Sequence, residues 1–78
     1  MTLKIEVGTS ALGGEGFNVY LCIHDDGHYS EFPLLEKNDT FDNAKRKAFE
    51  FRAAAGNVAI PVYHRFGKDG LALISFSS

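Results

Sequence analysis

Leu3, Ile5 and Val7 alternate with Lys4 and Glu6. That period of two predicts a first strand over residues 2–7 with one face buried. Glycines at 8, 13, 14 and 16 then mark a loop over 8–16. Alternation resumes at Phe17 and predicts a hairpin over 17–35. Its turn is Asp26-Gly27, a pair suited to the two positive-φ positions of a type I′ turn. With those residues at the tip, Asp25 faces His28, His24 faces Tyr29, Ile23 faces Ser30, Leu21 faces Phe32 and Val19 faces Leu34. One side then carries Phe17, Val19, Leu21, Ile23, Phe32 and Leu34, and the other carries Asn18, Tyr20, Cys22, His24, Tyr29 and Glu31. A slip of one residue would reverse every side chain, so turn and pattern support the same register. Pro33 removes a ladder donor, which places the second arm at a sheet edge.

From residue 40 the period changes. Phe41, Ala44, Ala48, Phe51 and Ala55 recur at spacings of three and four, predicting a helix over 40–55. Asp39 or Thr40 can cap it, Asp42 suits the positive end of its dipole, and Gly56 ends it. Arg46 and Glu50 fall opposite the stripe, with Asp42 placed to pair with Arg46 one turn later.

Val58, Ile60, Val62, His64 and Phe66 open a second hairpin over 57–77. Its turn, Gly67-Lys68-Asp69-Gly70, admits two registers. The one with a bulge at Gly70 is expected, because it sets Phe66 opposite Ala72, His64 opposite Ile74 and Val62 opposite Phe76. The other side of this ribbon holds Ala59, Pro61, Tyr63, Arg65, Leu71 and Leu73, too apolar for a face wholly in water. The expected fold is α+β: an antiparallel sheet of about five strands in the order β-β-β-α-β-β, with one helix packed on one face. It forms a single domain over 1–78.

Composition changes this picture little. The chain is 45% hydrophobic with seven phenylalanines, enough bulk for a small core. One cysteine rules out an internal disulfide and suits a reducing compartment. The alternating amino end lacks the apolar run of a signal or a membrane span, so a cytoplasmic, membrane-free protein is expected, and the sequon Asn38-Asp39-Thr40 carries little meaning. A net charge of −2 argues against generic nucleic-acid binding and is too small for a nucleic-acid mimic. A protein partner, including a second copy of this chain, fits better.

Candidate chemistry is thin. Cys22, His24, Asp25, Asp26 and His28 gather metal-ligand types within seven residues, but the hairpin register sends His24 and His28 to opposite sides. Cys22, His24 and Glu31 share a side as nucleophile, base and orienter would. Neighbours along one side of a strand stand roughly 6.5–7 Å apart, however, too far for a nucleophile–base hydrogen bond. Gly13-Gly14-Glu15-Gly16 is followed by a strand, where a phosphate loop needs a helix. No enzymatic activity, cofactor or metal is therefore expected. Lys45, Arg46 and Lys47, with Arg52, form the basic run through which the helix could contact RNA or DNA, diluted by Asp42 and Glu50. The stronger signal is aromatic. Tyr20, His24 and Tyr29 on one ribbon and Tyr63, Arg65 and Leu73 on the other fall on the side away from the helix. Amphipathic aromatics on such a side are enriched at protein interfaces, although a cross-strand pair such as His24 with Tyr29 also stabilises a sheet unaided.

Asp25-Asp26-Gly27, Tyr29, Phe32-Pro33, Asp39-Thr40, Ala44 and Ala48 give the stretch from Asn18 to Phe51 a pattern that resembles the amino-terminal module of HicB-type antitoxins. That resemblance implies a partial double-stranded-RNA-binding-domain-like fold and a habit of binding a protein, and transfers no functional residue. Leu34-Leu35-Glu36-Lys37 replaces the family's Pro-Gly, and no ribbon-helix-helix or helix-turn-helix segment follows within these residues. In size and character the chain also looks like phage-encoded inhibitors such as anti-CRISPR proteins. The expected function is a non-enzymatic interaction protein, antitoxin-like or a phage-type inhibitor. Its expected partner is a nuclease, a toxin or a CRISPR effector complex, occluded through Tyr20, His24, Tyr29, Tyr63, Arg65 and Leu73.

Overall fold

The alternation at the amino end becomes strand β1, Thr2–Thr9, in a computed structural model that describes residues 1–9, 16–38, 40–56, 60–66 and 70–74. Strands β2 (Phe17–Asp25) and β3 (His28–Asn38) follow, then helix α1 (Phe41–Ala54), β4 (Val62–Phe66) and β5 (Gly70–Leu73). β1 runs two residues past its expected end, through Gly8 and Thr9, and the rest of the glycine loop up to residue 15 lies outside the described residues.

The hairpin turn takes positive φ at both central residues, 48° at Asp26 and 81° at Gly27, as a type I′ turn requires. Its register holds from Asp25↔His28 to Tyr20↔Pro33. It then shifts, so Val19 faces Leu35 where Leu34 was expected. The bulge lets Leu34 and Leu35 both pack against the core. Phe32, expected on the buried side, is 51% exposed.

The five strands form one sheet in the order β3-β2-β1-β4-β5. It is mixed, which corrects the antiparallel expectation: β1 and β4 pair in parallel, Ile5↔Val62 to Gly8↔Arg65. A single helix between two strands returns the chain to the end where the first of them started. β4 therefore runs in the direction of β3, which is also the direction of β1. The last hairpin is also corrected. Phe66 pairs with Gly70, His64 with Ala72 and Tyr63 with Leu73, a shift of two residues. Because the shift is even, each side chain keeps its expected face. Val58, Ala59 and Phe76 fall outside the described residues.

Thr40 caps α1, its side-chain oxygen accepting from the Asn43 backbone N–H at 3.1 Å, and Gly56 closes the helix at φ 70°. Ala44 and Ala48 are buried, and their small side chains let the helix approach β1, β2 and β3 closely. Ile5, Val7, Val19, Ile60 and Val62 complete the core, flanked by half-buried Phe41, Phe49 and Phe51. Ala55, counted in the stripe, is exposed past the helix end. No helix among the described residues is long and apolar enough to cross a membrane.

Candidate functional site

With β1 at the centre, Lys4 and Glu6 lie in the middle of the sheet face away from α1. Cys22 stands opposite Lys4 on β2, and Glu31 opposite Cys22 on β3. Tyr20 and Tyr63 flank Glu6 from β2 and β4. Glu6 is 2% exposed and Cys22 is fully buried, with no helix on their side among the described residues. Long side chains lying flat do the covering. The Arg65 guanidinium sits 4.7 Å from the centre of the Tyr20 ring, and Lys4 Nζ sits 5.8 Å from that of Tyr63.

The charges close on one another. Arg65 Nη1 donates to Glu31 Oε1 at 2.7 Å and stands 3.3 Å from Glu6 Oε1, while Lys4 Nζ lies 3.0 Å from Glu6 Oε2. The Arg65 contact to Glu6 is an ion pair without hydrogen-bond alignment. Glu6 Oε1 is thus buried with no hydrogen bond among the described residues. Two cations against two carboxylates leave the network neutral. Partial burial works against the Arg65 charge, and the hydrogen bond to Glu31 with the Glu6 carboxylate beyond it outweighs that, so its pKa is raised. Burial, with the two carboxylates adding to it, pushes the Cys22 thiol up to about 11 against the opposing hydrogen bond with Tyr29. A thiol so placed is neutral and poorly nucleophilic at pH 7.

Glu6, Cys22 and Glu31 each bring one ligand atom within 4.8 Å of the others, a spacing a zinc-like ion could bridge. Arg65 Nη1 already stands between the two carboxylates as their cation, and binding would require removing a proton held up to about 11. The geometry fits an ion-pair network better than a metal centre. The group contains neither His24 nor His28, both exposed near the hairpin tip.

Gly8 makes room for this arrangement. A Cβ there would lie 2.7 Å from the Arg65 carbonyl oxygen and 3.1 Å from its Cβ, so β1 and β4 approach this closely only with glycine.

The registers bring Tyr20, His24, Tyr29, Tyr63, Arg65 and Leu73 to one face. Tyr20, Tyr63 and Arg65 are half-buried; His24, Tyr29 and Leu73 are exposed. His24 packs on Tyr29 with ring centres 4.5 Å apart, and the Asn18 amide donates to the Tyr20 hydroxyl at 2.8 Å. The basic helix run divides. Arg46 and Lys47 are exposed and Lys45 is half-buried, but Arg52 is buried, its Nη1 donating to the Ile60 carbonyl at 3.4 Å beside the Phe49 ring. Arg46 bonds Asn43 rather than the expected Asp42, and Lys47 pairs with Glu50. Burial thus withdraws Arg52 from the basic run, which leaves Lys45, Arg46 and Lys47.

Among known proteins, no family model, curated protein or solved structure matches the chain.

Proposed function

We propose that this chain is a protein-binding module that docks through the open face of its sheet, acting by occlusion of a partner's surface. The observation that carries this reading is a face whose charges are paired with one another and whose rim is aromatic and apolar. Tyr29 and Leu73 stand out from it at 47% and 58% exposure, with Tyr20 and Tyr63 held beneath cations. Preordered aromatics lose little conformational freedom on binding, and a neutral network adds little long-range field. The reading extends to an inhibitor of a nucleic-acid-processing machine: antitoxin-like on the resemblance of the stretch 18–51 to HicB-type modules, phage-type on size and character alone.

Capture from a nuclease-treated lysate of the native host tests it with three baits. The wild-type chain and a helix variant (Lys45→Gln with Arg46→Gln and Lys47→Gln) should retain the same protein. A face variant (Tyr29→Ser with Leu73→Ser) should lose it while staying folded by circular dichroism. Retention should persist at about 0.5 M salt, where exposed ion pairs are screened. Equal capture by all three baits discards the face. Loss confined to the helix variant, with steep salt dependence, would instead point to nucleic-acid contact.

A further inference from the structure

The two outer strands of the sheet are β3 and β5. β3 carries Pro33, the charged Glu31 and the bulge opposite Val19, devices that discourage edge pairing. β5 has none of them. Residues 70–74, Gly-Leu-Ala-Leu-Ile, contain no charge, and Leu71, Ala72 and Leu73 are all exposed. The helix lies over β1, β2 and β3, at the other end of the sheet. Among the described residues, no strand pairs with the outer side of β5.

The parity of β5 specifies what that edge can accept. The Ile74 N–H donates to the Val62 carbonyl at 2.8 Å, so 62 and 74 form a hydrogen-bonded pair. Antiparallel pairs alternate, so Ala72 and Gly70 also turn their backbone groups toward β4. Leu71 and Leu73 therefore turn their N–H and C=O groups outward. Leu-Ala-Leu reads the same in both directions. A two-fold axis at Ala72 sets Leu71 opposite the partner's Leu73, and Leu73 opposite the partner's Leu71. Both pairs then use the outward groups, and all four leucines share the open face.

We infer that β5 pairs antiparallel with β5 of a second copy about a two-fold axis at Ala72, joining two sheets into one. The inference concerns the outer edge of the sheet rather than the centre of its open face, and shares Leu73 with the docking proposal, so Leu71 and Tyr29 are the residues that tell the two apart. About half of Leu71 and Leu73 is open, so the four leucines of two copies together offer on the order of 300 Å² of apolar side chain. That falls short of the ~1,200 Å² at which stable interfaces begin, so the dimer is weak and concentration dependent. Assembly stops at two because the edges that remain are the two guarded β3 strands.

Sedimentation velocity of the whole chain, from micromolar to millimolar concentration, should show a mass rising from one chain toward two and no further. Leu71→Lys with Leu73→Lys sets like charges opposite each other at both pairs and should weaken association at least about tenfold, with circular dichroism unchanged. Leu71→Lys with Leu73→Glu sets each new lysine opposite the other copy's new glutamate, and should restore the dimer in a salt-sensitive form. Tyr29→Ser should leave the mass unchanged, which separates this edge from the docking face. A wild-type mass of one chain at every concentration overturns the inference and leaves β5 to a foreign strand. Growth beyond two, or a charge-swapped pair no better than the double lysine, overturns the two-fold register.

Discussion

The two faces of the sheet are both buried at their centres, by different means. On the helix side Ile5, Val7, Val19 and Val62 meet Ala44 and Ala48, and burial comes from apolar groups packed beneath a rigid element. On the open side Glu6, Asn18 and Cys22 are just as hidden, yet what lies over them is Arg65, Lys4 and their aromatic supports. The first arrangement gains from removing hydrocarbon from water. The second desolvates charges and recovers that cost only while the ion pairs hold. One face is built for stability. The other holds a set of side chains in place with no covering layer among the described residues, which leaves its rim exposed.

The sharpest way to test this contrast is to damage each face at its centre. Ile5→Ala leaves a cavity beneath the helix and should cost about 2–5 kcal/mol in urea unfolding, a large share of the stability of a chain this small. Glu6→Ala removes the carboxylate shared by Lys4 and Arg65, and should cost less, roughly 1–3 kcal/mol, since both cations can turn to water. A larger loss from Glu6→Ala than from Ile5→Ala would break the comparison.

The Cys22 thiol sharpens it further, because it belongs to the open face. Its pKa is raised from 9.0 to about 11 in the folded chain. Below pH 9 the thiol is protonated in both states and its contribution is intact. Between 9 and 11 the unfolded chain gives up the proton first, so stability falls as pH rises through that window. The urea midpoint of the wild type should fall faster there than that of Cys22→Ala. Parallel slopes would mean that the thiol is not held in a shielded place.

The hairpin was the most legible element, because the type I′ turn and the alternation independently demand one register from Asp25 to Tyr20. The last hairpin was not, since the observed register differs from the expected one by two residues and gives the same faces, so alternation does not tell them apart. The parallel pairing of β1 with β4 follows from having one helix between two strands, a consequence of topology that alternation alone does not reveal. Arg52 was misread although a signal existed: Ala44, Ala48 and Arg52 are four apart and form one row into the helix–sheet contact. Glu6 and Cys22 could not be joined from their positions in the chain. Their meeting depends on β1 lying at the centre of the sheet, and on which strands lie beside it.

The mildest probe is Arg65→Lys. Lysine keeps the charge and can still approach a carboxylate, so the network stays neutral. It loses the flat guanidinium on Tyr20 and the reach that carries Nη1 to Glu31 on the far edge strand. Because this group is partly exposed, water screens much of the difference, and the expected cost is about 0.5–1 kcal/mol. Partner capture should suffer more than stability does, since the substitution frees the Tyr20 ring while the helix-side core is untouched. A loss as large as that of Ile5→Ala would show that the open face is held by the arginine as firmly as the other face is held by its aliphatic core, and the division of labour between the two would fail.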